Sequence, residues 1–238
     1  MIPILHAAFV LFLLVGFPLW DRRETARLKA LPSAATRIGS YRKTIAWLWL
    51  ATVFVVVTTP WAALLTPPPA TWIPASLRGG LGWGLLASLS AGILGPSLLA
   101  ARSPKFLDAH LRQLGPLAFF LPQSAPERAW FAAVSVSAGI CEELVFRGFL
   151  IQYFAHPPLH FPAWLAVVAA AVVFGVDHGY QGVGGILTTT VLGLIFALLF
   201  ILTGHLWVVM VLHATIDLRI VWLLWLGRAQ WPPGRGTS

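Results

Sequence analysis

The sequence predicts an all-α fold: a polytopic membrane helix bundle of about seven transmembrane helices. Three observations predict it. Of the 238 residues, 58% are hydrophobic and only 10% are charged, whereas a soluble domain carries about 25% charged residues. The mean hydropathy of +0.81 leaves more apolar side chain than a core of this size can enclose, so the solvent for most of the chain is lipid. The apolar runs are long and unbroken rather than alternating. In hydrocarbon each backbone N–H and C=O must be paired within its segment or in a closed barrel, and unbroken runs select helices.

Seven segments approach the ~20 residues that cross a bilayer core: residues 2–20, 45–65, 81–101, 129–154, 161–178, 185–202 and 206–226. The first lacks a basic leader and a small-residue cleavage site, so a retained helix is expected rather than a signal peptide. The fourth is long and interrupted by charge, and the fifth is short. Residues 103–127 mix apolar and charged side chains around Pro116 and Pro122. They are expected to form an interfacial helix or a short re-entrant piece, with an eighth span as the alternative. The expected organisation is N-terminal helices with basic loops (1–128), a helical unit carrying the buried polar residues (129–226) and a short cytoplasmic tail (227–238).

The basic residues orient the bundle. Arg22, Arg23, Arg27, Lys29, Arg37, Arg42 and Lys43 follow the first segment, Arg102, Lys105, Arg112 and Arg128 follow the third, and Arg228 and Arg235 follow the last. The intervening connections hold one basic residue or none, so the positive-inside rule puts the N-terminus outside and the C-terminus in the cytoplasm. The formal charge of +8 therefore belongs to loops facing anionic lipid, and nucleic acid is not an expected partner. Cys141 is the single cysteine, which excludes an internal disulfide and a cysteine metal cluster.

The informative residues are the ionisable ones inside apolar helices, each costing about 2.5–3.5 kcal/mol to insert at a helix centre. The fourth segment holds Glu142, Glu143 and Arg147, the fifth ends on Asp177 and His178, and the seventh holds His213 and Asp217. Glu143 and Arg147 are four apart, on one helical face and within ion-pair reach. Glu142 is turned about 100° from Glu143 and is expected to face a different cavity. His213 and Asp217 share a face, as do Phe174 and His178. Polar contacts that merely hold helices together are the simpler alternative. They suit so costly a set poorly, because interhelical hydrogen bonds in membranes average about 0.6 kcal/mol. A carboxylate and an imidazole can together take a proton from water, and a second histidine can stabilise an oxyanion, which is what attack of water on a peptide carbonyl requires. Ser135 and Ser137 read as small packing residues, and Cys141 as a buried packing residue.

These residues also form a recognisable order: "EELVFR" as EExxxR, "FGVDH" as FxxxH and "HATID" as HxxxN/D. Together they resemble the CAAX-protease and bacteriocin-processing family of intramembrane endopeptidases over roughly residues 129–226. The resemblance implies that Glu142 is the principal catalytic carboxylate, activating water with His178. Glu143 and Arg147 would support it, Phe174 would pack beside the site, and His213 and Asp217 would stabilise the oxyanion. Aspartate at 217 departs from the common asparagine and is expected to orient His213. Asp177 is a second departure, expected to point about 100° away from His178.

No metal cofactor is favoured, but zinc is the alternative, with Glu142, His178 and His213 as its ligands. The expected partners are the bilayer and a peptide or protein substrate at the membrane, prenylated as in CAAX tails or related to bacteriocins. A bacterial cytoplasmic membrane is the expected location. From other function classes, a proton-coupled transporter or a non-catalytic membrane scaffold would use the same buried cluster. The depth of His178 is the difficulty, because it falls near the inner end of its segment. Either that helix starts deeper, or the glycine-rich turn after it is sunk in the bundle.

Overall fold

The computed structural model describes residues 2–69, 71–228 and 231. The expected tail residue Arg235 lies outside the described residues. Among the described residues the regular elements are all helical. Eight helices carry the architecture: α1 Ile2–Ala30, α2 Ala34–Thr58, α3 Ala75–Arg102, α4 Pro104–Leu114, α5 Ala125–Ala155, α6 Ala163–Val176, α7 Gly182–Thr203 and α8 Leu206–Leu226. Six of the corresponding segments are long and apolar enough to cross a membrane, and α6 is a shorter apolar helix. These are the seven expected segments.

The boundaries differ where polar residues extend a helix past the apolar run. α1 continues through the basic stretch to Ala30, and α2 begins at Ala34, where Ser33 Oγ accepts from the N–H of Thr36 at 3.1 Å. The expected basic loop is thus mostly helix, and a 29-residue α1 would run about 43 Å, longer than the bilayer core of about 30 Å. α2 stops at Thr58 ahead of Pro60, which cannot donate the next helical hydrogen bond. The residues after it form a separate turn of helix, Trp61–Leu65. Residues 103–127 yield α4, whose 11 residues are well short of the ~20 that span. Pro116 then falls in a single tight turn, Gly115–Leu117.

α5 starts four residues before the expected segment because Ser124 caps it, accepting from the N–H of Glu127 at 3.4 Å, with Pro126 in the first turn. Glu127 is itself buried and pairs with Arg37 Nε of α2 at 2.7 Å, and its second oxygen accepts from the N–H of Gln123 at 2.9 Å. Tyr41 donates to the carbonyl of Phe120. These bonds fasten the segment between α4 and α5 onto α2. α5 is the centre of the bundle: 61% of its apolar window is buried, against 11% for α1 and α3, whose apolar side chains face outward as lipid contact requires. α2 and α8 pack along α5, and α6 pairs with α7, which leans on α3. Gly204, with φ of 73°, ends α7 in the left-handed region, so that two residues suffice to turn the chain into α8.

Candidate active site

Glu142 and Glu143 sit where α5 changes its winding. From Glu143 to Leu150 the helix widens to π-type hydrogen bonding, an irregularity that often marks functional sites in helices. The two carboxylates do not face different cavities, as their α-helical spacing suggested. Both reach His213 of α8, one at each ring nitrogen. Glu143 Oε1 lies 2.7 Å from Nδ1, and Glu142 Oε2 lies 3.8 Å from Nε2. Glu143 Oε1 also accepts from Arg147 Nη1 at 3.1 Å, which is the expected i,i+4 pair. The Arg147 guanidinium lies over the Phe174 ring at 4.2 Å, so an aromatic face and a carboxylate share the desolvated cation.

His178 joins the same centre, its Nε2 standing 4.0 Å from Glu142 Oε2. Its depth follows from the length of α6. Fourteen residues reach only about 21 Å, short of a core of about 30 Å. The turn Gly179–Gln181 is half-buried, with Tyr180 against Phe120 at 5.6 Å between centroids. His178 Nδ1 lies 2.8 Å from the Phe174 carbonyl. Since a carbonyl only accepts, Nδ1 carries the proton, and a neutral ring then offers the Nε2 lone pair to the site. The same logic fixes His213: Nδ1–H donates to the Glu143 carboxylate. Phe174 therefore does more than pack, since its carbonyl orients His178 while its ring covers Arg147.

Asp217 stands 3.8 Å from His213 Nε2, beyond hydrogen-bond range. The bond that orients His213 belongs to Glu143 rather than to Asp217, because Glu143 occupies the opposite nitrogen. Glu142 Oε2 has no hydrogen-bond partner among the described residues, although two imidazole nitrogens flank it. Both gaps exceed a direct hydrogen bond and suit one small polar atom held among the three groups. Cys141 is buried and free, and Ser137 accepts from Trp49 Nε1 at 3.2 Å, in line with packing roles. Among the described residues, no group of three or more His, Cys, Asp or Glu side chains has the geometry to hold a metal ion.

The centre opens on a cavity of about 560 Å³, lined by apolar residues of α1 and α2 such as Phe12, Trp20, Trp47 and Leu48, with Glu142, His178, His213 and Asp217 at its wall. Two glycines bring the helices close enough to assemble it. A Cβ on Gly139 would meet the Ala214 nitrogen at 2.7 Å, and one on Gly175 would meet Thr190 Oγ1 at 1.9 Å. Sequence reasoning passed over both. The signal for Gly139 was its small-xxx-small spacing from Ser135 on the helix that also carries the glutamates. Asp21 of α1 was also passed over. It lines the same cavity. Its only sequence signal is an acid within a basic stretch.

Residues 124–219 match the family model of the type II CAAX prenyl endopeptidase Rce1-like proteins. The match contains all three motifs, and it supports a protease acting on a peptide or protein at the membrane. No curated protein and no solved structure matches the chain.

Proposed function

We propose, from the Rce1-like character of residues 124–219, that this chain is an intramembrane endopeptidase of the glutamate type. The observation that carries the reading is the position of Glu142 Oε2 between His178 Nε2 and His213 Nε2, 4.0 and 3.8 Å away, with Nδ1 of each ring engaged behind it. A water held there donates one hydrogen to the His178 Nε2 lone pair and the other to Glu142. Glu142 takes its proton as the oxygen attacks the scissile carbonyl carbon. The carbonyl π-pair moves onto oxygen, where His213 Nε2–H, in the imidazolium form, donates to it. Glu142, Glu143 and Asp217 offset that imidazolium charge. The tetrahedral species collapses with cleavage of the C–N bond, and Glu142 returns its proton to the departing amine. Arg147 holds Glu143 in place throughout.

The substrate we propose is a membrane-bound protein tail of the CAAX type, with the prenyl chain lying in the apolar arm of the cavity along α1 and α2. The N-terminus is proposed to lie outside and the C-terminus in the cytoplasm of a bacterial membrane. Labelling of a cysteine introduced at Ile4, on a Cys141→Ser background, from the outer face only would agree with that orientation. The decisive experiment is cleavage of a farnesylated CAAX-type peptide by purified protein. Glu142→Gln is expected to lower the rate by about 10³-fold or more, since it removes the base, while the thermal transition stays within a few degrees. Chelator treatment is expected to leave wild-type cleavage unchanged. Loss on chelation with recovery on added zinc would overturn the glutamate assignment, and an unimpaired Glu142→Gln would overturn the site.

A further inference from the structure

The mechanism leaves one buried acid without a task. Asp177 follows the last turn of α6, next to His178, and is only 6% exposed. Its Oδ1 has no hydrogen-bond partner among the described residues, yet its side chain lines the cavity that holds Glu142. Asp21 of α1 lines the same cavity. Asp177 lies within electrostatic reach of both Asp21 and Glu142.

Neither Asp21 nor Asp177 has a basic side chain within ion-pair distance among the described residues. The cations around the cavity are committed elsewhere. Lys43 and Arg27 pair with Glu24, Arg147 pairs with Glu143, and Arg219 donates to the Ile93 carbonyl at 3.2 Å. A buried carboxylate in apolar surroundings, as at Asp177, is costly unless a cation or a proton joins it. The wall here is acidic at Asp21, Asp177, Glu142 and Asp217, with Arg219 as the opposing lining guanidinium.

We infer that Asp21 and Asp177 form a subsite for a cationic side chain of the substrate, a lysine or arginine close to the cleaved bond. Asp177 adjoins His178 in sequence and lines the cavity that holds Glu142, so its carboxylate shares the chamber of the reacting carbon. An extended peptide advances about 3.3–3.6 Å per residue, so three positions on each side of the scissile bond reach about 10 Å along the chamber. The ammonium or guanidinium supplies the hydrogen bonds that Asp177 Oδ1 lacks. The inference rests on the hydrolase reading for its choice of probe, and its test separates the two.

The probes are fluorescein-labelled farnesylated CAAX-type peptides in which one lysine is walked through three positions on each side of the bond, each paired with a norleucine counterpart. Binding is measured to the Glu142→Gln protein, and cleavage by the wild type. One lysine position is expected to bind at least tenfold tighter than its norleucine partner. Adding Asp177→Asn is expected to cut that preference to within twofold, and Asp21→Asn to cut it at least threefold. The second variant carries the test if the first fails to fold. A preference below twofold at every position overturns the subsite. So does an Asp177→Asn or Asp21→Asn variant that weakens lysine and norleucine peptides equally. If lysine preference is present in binding but the wild type cleaves no peptide, the hydrolase reading falls and the subsite stands.

Discussion

Gly139→Ala tests whether the site depends on the close approach of α5 and α8. The added Cβ would lie 2.7 Å from the Ala214 nitrogen, 2.8 Å from the Ala214 Cβ and 2.9 Å from the Met210 carbonyl oxygen. Ordinary contact begins at 3.4 Å, so the helices must separate locally by about 0.7 Å, and two of the three obstructing atoms are backbone that cannot swing aside. His213 is the residue before Ala214. Carried by the same displacement, its 2.7 Å contact with Glu143 would stretch to about 3.4 Å, past a good hydrogen bond. Misplacement on this scale costs about 10²-fold in rate, and overpacking costs about 1–3 kcal/mol of stability. The assay is peptide cleavage alongside unfolding by denaturing detergent, with Gly92→Ala as the control because a Cβ there meets nothing within 4 Å. Gly139→Ala activity within twofold of wild type, in protein that Glu142→Gln inactivates, would refute the argument that this approach sets the site.

Other substitutions probe the support of the site and its cover. Glu143→Gln leaves the Arg147 guanidinium buried without its carboxylate, so a destabilisation of about 3–5 kcal/mol is expected. Its thermal transition should fall well below that of Glu142→Gln, and equal transitions would contradict the pairing. Arg37→Met should likewise destabilise by about 3–5 kcal/mol by stranding Glu127. The double variant Arg37→Met, Glu127→Leu should regain most of that loss in the same denaturation assay. Failure of the double variant to recover would mean that the Gln123 and Ser124 bonds of Glu127, rather than the ion pair, hold the segment before α5.

The spans could be read because lipid imposes a local rule: each apolar run must satisfy its own backbone, whatever its neighbours do. The short α4 followed from its charges and prolines for the same local reason. Glu142, Glu143, Arg147, His178, His213 and Asp217 stood out because burying charge in an apolar helix needs a cause. Their division of labour was less legible. The 100° spacing that parts Glu142 from Glu143 says nothing of a ring on another helix, and His213 stands between them with one carboxylate at each nitrogen. Orientation of His213 passed to Glu143 because a residue on another helix can approach Nδ1 directly, while Asp217, on the ring's own helix, reaches only the Nε2 side.

By itself, then, the sequence determined that this is a helical membrane bundle, how many apolar helices it has, and which charged residues had to converge. Composition and spacing act along the chain, so these features are present in it. Tertiary structure alone decided the rest. It brought His178, at the end of α6, beside Glu142, and glycine contacts at 139 and 175 let the helices close. It bound the His213 tautomer to Glu143, and it turned Asp21 and Asp177 toward one cavity. Each of these is a distance between residues remote in sequence, set by how helices of unequal length pack, and no periodicity along a single helix records it.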